Sequence, residues 1–243
     1  MPVPSLPITR APGDRAPIEV RDALVIWIGA WLVGQVLAAA VAAASGHTNV
    51  VDAGPVWFFG IAVAGWVPLV AGVWGAGRRF GTGNLASDFG YSFRPIDLIG
   101  LPLGVLTQLV LVPLLYWPLR TAWPSTFTRT HLEQRARDLW DHASGGGLVL
   151  LVLVVAVGAP LVEELVYRGL LQGAFTRRLD DVLGVVLVAA IFAIVHFQPV
   201  ETPGLFVVGL VLGTCALRTR RLGMGVLAHM AFNATGLVLV AVK

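Results

Sequence analysis

Charge is what this sequence has least of. Asp, Glu, Lys and Arg together make up 13% of its 243 residues, against 56% hydrophobic residues and a mean hydropathy of +0.79. A water-soluble globule must cover its surface with polar side chains, so that class is excluded and the implied solvent is lipid. Lysine is almost missing, with Lys243 the single instance. The net charge of +3 therefore rests on arginines. These are scattered between apolar runs instead of forming one basic face, which excludes nucleic acid as a partner. Cysteine is down to Cys215. One thiol permits no intramolecular disulfide, no thiolate metal cage and no dithiol chemistry, and reads as a small packing residue. A His-Glu-x-x-His zinc helix is absent as well.

What is abundant is uncharged length. Apolar spans run at about 23–46, 53–77, 98–119, 143–162, 182–200, 202–217 and 222–242. Most are near the ~20 residues a helix needs to cross the hydrocarbon core. The expected fold is all-α: a polytopic membrane bundle of about seven transmembrane helices, forming one domain over residues 23–243. Residues 1–22, rich in proline and charge, read as a flexible cytoplasmic tail. The first apolar run is long for a cleaved signal core and is expected to stay as an anchor. Between spans, residues 131–143 place Leu132, Ala136, Leu139 and Trp140 on one helical face and Glu133, Arg137 and Asp138 on the other. That pattern fits a helix lying at the interface or packed on the bundle. Alternate connections, starting from the N-terminus, hold twelve arginines, against five Arg or Lys in the other set. The bias predicts a cytoplasmic N-terminus and an external C-terminus.

Ionisable groups inside apolar spans are costly and usually functional, and they occur here as three short motifs. Glu163-Glu164-Leu165-Val166-Tyr167-Arg168 follows the apolar run 148–162. On an α-helix Glu164 and Arg168 lie one turn apart and can pair, while Glu163 points about 100° away. Phe192-Ala193-Ile194-Val195-His196 puts an imidazole at the far end of another run. His229-Met230-Ala231-Phe232-Asn233 sets imidazole and carboxamide on one face. If residues 177–181 form a hairpin turn, Glu163 and His196 are each about sixteen residues from its centre and face one another at equal depth. His229, only about eight residues past the turn at 218–221, would then sit shallower unless the first hairpin protrudes. Each motif alone also has a packing explanation, as a buried ion pair or an interhelical hydrogen bond. Tyr167, Phe192 and Phe232 read as packing residues. His47, His131 and His142 read as solvated.

Three motifs in this order resemble the CPBP family of intramembrane proteases, which includes the type 2 CAAX prenyl endopeptidases and the bacteriocin-processing Abi proteins. The resemblance covers about residues 145–243 and matches Glu-Glu-x-x-x-Arg, Phe-x-x-x-His and His-x-x-x-Asn without departure. It implies an endopeptidase hydrolysing a peptide bond of a membrane-associated protein or peptide, with Glu163, Glu164, Arg168, His196, His229 and Asn233 as site residues. In that picture Glu163 near His196 holds and activates water, His229 and Asn233 stabilise the oxyanion, and Glu164 with Arg168 is a supporting pair. Family members are often called metalloproteases, and Glu163, His196 and His229 are acceptable zinc ligands with one position open. Glutamate-activated water needs no ion, so no cofactor is expected. A proton-coupled transporter, or a non-catalytic membrane partner that keeps the fold, are the competing functions. The expected setting is a bacterial plasma membrane, given the arginine-over-lysine usage.

Overall fold

The computed structural model of the chain describes residues 18–47 and 53–242. Among them it has nine helices and no strand. The first two are α1 (Val20–Ala44) and α2 (Pro55–Phe80). A short α3 (Leu85–Phe89) precedes α4 (Pro95–Ala122), and α5 (Arg129–Asp141) precedes the long α6 (Gly146–Arg178). The last three are α7 (Asp181–Ile194), α8 (Thr202–Thr219) and α9 (Gly223–Ala241). Six of these, α1, α2, α4, α6, α8 and α9, are long and apolar enough to cross a membrane, and α7 is a shorter apolar helix of 14 residues. The protein is an all-α polytopic bundle, and its apolar helices mark it as an integral membrane protein.

Local chemistry sets the boundaries. Asn84 accepts from the backbone N–H groups of Ala86 and Ser87 to open α3, and Gly90 closes it in the left-handed region at φ 70°. Asp180 caps α7 by accepting from the Leu183 N–H, and Thr128 caps α5 through the His131 N–H. Proline occupies the first turn of α2 and of α8, where its missing N–H costs nothing. Within α3, Asp88 accepts from the backbone N–H groups of Thr82 and Gly83 and from the Thr82 hydroxyl. Burial alone would raise its pKa, but these donors outweigh burial and hold it below the ordinary carboxylate value.

The core gathers on α6, where every residue from Glu164 to Gln172 is buried. Leu165, Val166, Tyr167, Leu170 and Leu171 pack with Ala23 of α1, Val73 of α2, Val188 and Phe192 of α7 and Val226 of α9. The outer faces of α1 and α2 stay exposed, as lipid-facing apolar surface does. Gly100 and Gly104 let α4 lie against α9, since a Cβ on either would run into the carbonyl oxygens of Met224 and Ala228 respectively.

Several sequence expectations change. Residues 1–17 of the expected tail lie outside the described residues, but Val20, Arg21 and Asp22 form the first turn of α1 and are not tail. The span expected to end at 162 continues to Arg178, because two π-helical stretches, Leu153–Gly158 and Glu164–Gln172, carry the helix on through the charged motif. The span expected over 182–200 stops at Ile194. Phe197 takes a left-handed backbone at φ 52°, and Pro199 disfavours helix at the residue before it. α5 forms as expected and packs on the bundle, with Leu139 and Trp140 against Leu151 and Leu237.

A buried glutamate and histidine site

The π-helical stretch of α6 places Glu164, Arg168 and Gln172 at four-residue steps along one stripe, all of them buried. A π-helix closes i→i+5 hydrogen bonds and takes more residues per turn than an α-helix, so positions four apart stay nearly in line. Arg168 Nη1 donates to Glu164 Oε1 at 2.9 Å, with both side chains fully buried. Arg168 Nη2 continues to the carbonyl of Gly209 on α8 at 3.3 Å, and Gln172 Nε2 donates to the carbonyl of Gly213 one turn further on at 2.9 Å. The guanidinium also lies over the Phe192 ring, 4.5 Å from its centroid.

His229 of α9 is held between the two glutamates. Its Nδ1 is 3.0 Å from Glu164 Oε1, and its Nε2 is 3.8 Å from Glu163 Oε2. An ionised carboxylate only accepts, so Nδ1 carries the hydrogen in this contact and Nε2 is left facing Glu163. The side chain of Glu163 is 23% exposed and that of Glu164 is not exposed at all. One glutamate lies wholly inside the protein, its Oε1 shared by Arg168 and His229 and its Oε2 without a hydrogen-bond partner among the described residues. The other has a free face.

His196 lies just past the end of α7, in the turn leading to α8. Its Nδ1 is 2.6 Å from the Phe192 carbonyl, and its ring stands edge-on to the Phe192 ring at 4.7 Å. The same Phe192 ring meets His229 at 5.9 Å and Tyr167 at 5.2 Å, so one buried aromatic separates and locates both imidazoles. Asn233 uses Nδ2 to donate to the carbonyl of Val155 at 2.8 Å, within the first π-helical stretch of α6. At the edge of this region Glu201, next to α8, has its pKa raised by burial, with Arg135 and His196 opposing the rise.

The helices thus bring Glu163, Glu164, Arg168 and His229 into direct contact, with His196 joined through Phe192 and Asn233 one turn beyond His229. One expectation is revised: His229, not His196, stands directly against Glu163, and no ion pair joins Glu163 to His196 among the described residues. His229 touches both glutamates and so lies at their depth, the alternative in which the hairpin at 177–181 protrudes past the turn at 218–221. Gln172 went unremarked in the sequence, although the four-residue step from Glu164 through Arg168 was a legible signal for it. Gly209 and Gly213, which expose the accepting carbonyls, carried no signal alone. His47 and His131 are exposed, as expected, each with Nδ1 near a backbone carbonyl.

The zinc set Glu163, His196 and His229 does not fit an ion in this arrangement. Among the described residues no three His, Cys, Asp or Glu side chains are gathered closely enough to hold one.

Residues 145–235 match a family model described as type II CAAX prenyl endopeptidase Rce1-like. The match spans the site on α6, the His196 turn, α8 and most of α9. It agrees with the CPBP likeness carried by the three motifs and leaves α1 to α5 outside it. No curated protein and no solved structure matches the chain.

Proposed function

We propose that this chain, whose residues 145–235 match the type II CAAX prenyl endopeptidase family, is an intramembrane endopeptidase that hydrolyses a peptide bond of a membrane-associated protein or peptide. The observation that carries the reading is the division of labour around His229. Glu164 is consumed by Arg168 and by Nδ1, while Glu163 faces Nε2 across 3.8 Å with part of its carboxylate open. A carboxylate and a ring nitrogen at that separation can share one water, the geometry a general base requires.

Glu163 takes a proton from that water as its oxygen bonds to the scissile carbonyl carbon. His229 holds the water's orientation, and Glu164 holds His229, as a buried carboxylate does for a catalytic imidazole. The carbonyl oxygen gains the negative charge. The second amide hydrogen of Asn233 and the Nε2–H of His196 as the imidazolium, whose Nδ1–H is given to the Phe192 carbonyl, are the donors we assign to it, and one such donor is worth about 100-fold to 1000-fold in rate. The C–N bond then breaks as Glu163 returns its proton to the leaving amine, so Glu163 ends ionised and ready for another water. Burying the reaction among apolar helices strengthens each of these charge interactions.

The test is cleavage of a membrane-tethered peptide library by the purified protein. Glu163→Gln keeps size and polarity but cannot take a proton, so turnover should fall at least about 1000-fold while the variant elutes as folded protein. Full cleavage by Glu163→Gln, or no cleavage of any member by the unaltered chain, would overturn the reading.

A further inference from the structure

His196 lies beyond the last residue of α7, so no helical hydrogen-bond ladder fixes it. A functional side chain on a turn is only as well placed as the turn itself. The His196 ring itself is tied back to α7 through the Phe192 carbonyl, and the tie from α4 to this turn comes from Tyr116, a residue 2% exposed. Its hydroxyl donates to the carbonyl of Val200 at 2.8 Å and accepts from the backbone N–H of Gly204 at 3.1 Å. One oxygen therefore joins the end of the His196 turn to the first turn of α8, and both to α4. Glycine at 204 suits this close approach: a Cβ there would lie 3.0 Å from both the ring and the hydroxyl of Tyr116, which would have to give way by a few tenths of an ångström. Within the turn the Thr202 hydroxyl donates to the Gln198 carbonyl, and Phe197 stacks on Trp31 of α1 at 6.1 Å. Neither of these contacts reaches α4.

We infer that Tyr116 is a positioning residue for the peptidase site, acting through the 197–204 backbone to set where the His196 ring stands. The inference rests on the peptidase reading for its meaning, and it gives the half of the chain outside the family match a defined part in the site. Tyr116 touches neither Glu163 nor His229 and takes no part in proton transfer. Its contribution is the placement of His196 at the carbonyl oxygen, a step made in the transition state, so its loss falls on kcat more than on KM.

Tyr116→Phe keeps the ring in its slot and removes only the oxygen. In the full chain in detergent, well below its melting temperature, this variant should lose about tenfold or more in kcat with KM within about twofold. The His196 ring resonance in histidine-labelled protein, assigned by its disappearance in His196→Gln, should shift or broaden. Gly204→Ala leaves Tyr116 intact but pushes its hydroxyl away, and should reproduce both changes. The double variant should be no worse than either single one, because both break one tie. Unchanged kcat and an unmoved His196 resonance in folded Tyr116→Phe overturn the inference, as does a loss of melting temperature alone. The two proposals fail separately. If the unaltered chain cleaves nothing, the His196 resonance still decides whether Tyr116 positions that ring.

Discussion

Glu164 accepts two hydrogen bonds through a single carboxylate oxygen, from Arg168 and from His229. Removing its charge therefore disturbs two buried partners at once. Glu164→Gln strands the Arg168 guanidinium, and breaking a buried pair from one side costs about 3–5 kcal/mol. The variant should melt at a lower temperature and lose activity together, whereas Glu163→Gln loses activity alone. Exchanging the pair, Glu164→Arg with Arg168→Glu, should not restore the melting temperature. The new guanidinium would face the Nδ1–H of His229, donor against donor. A thermal shift assay on the three variants reads this directly, and a stable Glu164→Gln with no turnover would mean that Glu164 is the base. The Glu164 and Arg168 pair was legible in the sequence because four-residue spacing survives both helix types. The place of His229 between the glutamates was not, since it depends on how α9 meets α6.

The helical elements show where such reading stops. Hydropathy located the ends of the apolar spans to within about three residues, except the C-terminal ends of the spans expected at 143–162 and 182–200. It assumed uniform α-helices, however, and the unusual elements are those nearest the site. The π-helical stretches of α6 and the early end of α7 break no compositional rule, so the depth of Glu163 and His229 could not be calculated from residue counts. Close helix contact has a better signature, because it demands small residues at one-turn spacing. Gly100 and Gly104 on α4 lie against the backbone of α9, the helix that carries His229. Gly104→Val should therefore force the two helices apart and sharply reduce the yield of monodisperse protein on size exclusion. Gly29 on α1 has open space around its Cβ position, so Gly29→Val should be recovered in normal yield. Equal yields from the two would mean that α4 does not pack on α9 in this register.

At the scale of the whole molecule, the order of the helices separates two ends. Taking α7 as a crossing, the α2 to α4, α6 to α7 and α8 to α9 connections share one end, and the α1 to α2, α4 to α6 and α7 to α8 connections share the other. Arg21, Arg78, Arg79, Arg94, Arg177, Arg178, Arg218, Arg220 and Arg221 mark the first end. Arg120, Arg129, Arg135 and Arg137 mark the second. Arg168, counted with the first group from sequence alone, is buried beside Glu164 and says nothing about orientation. Arg10, Arg15 and Lys243 lie outside the described residues. The bias remains after these removals. Translocating positive charge is disfavoured, so the arginine-rich end should be cytoplasmic. That end also keeps its arginines engaged: Arg221 Nη2 donates to the fully buried Asp97 at 2.8 Å and ties the turn before α9 to the start of α4. A reporter enzyme fused after Arg79 or Arg221 should thus read cytoplasmic, and one fused after Asp141 or Val200 should read external. The four fusions must alternate as a set, because one reversed site would mean that a helix between them fails to cross. Reversal of all four would keep the bundle and turn it over, placing the His196 turn and α5 on the cytoplasmic side.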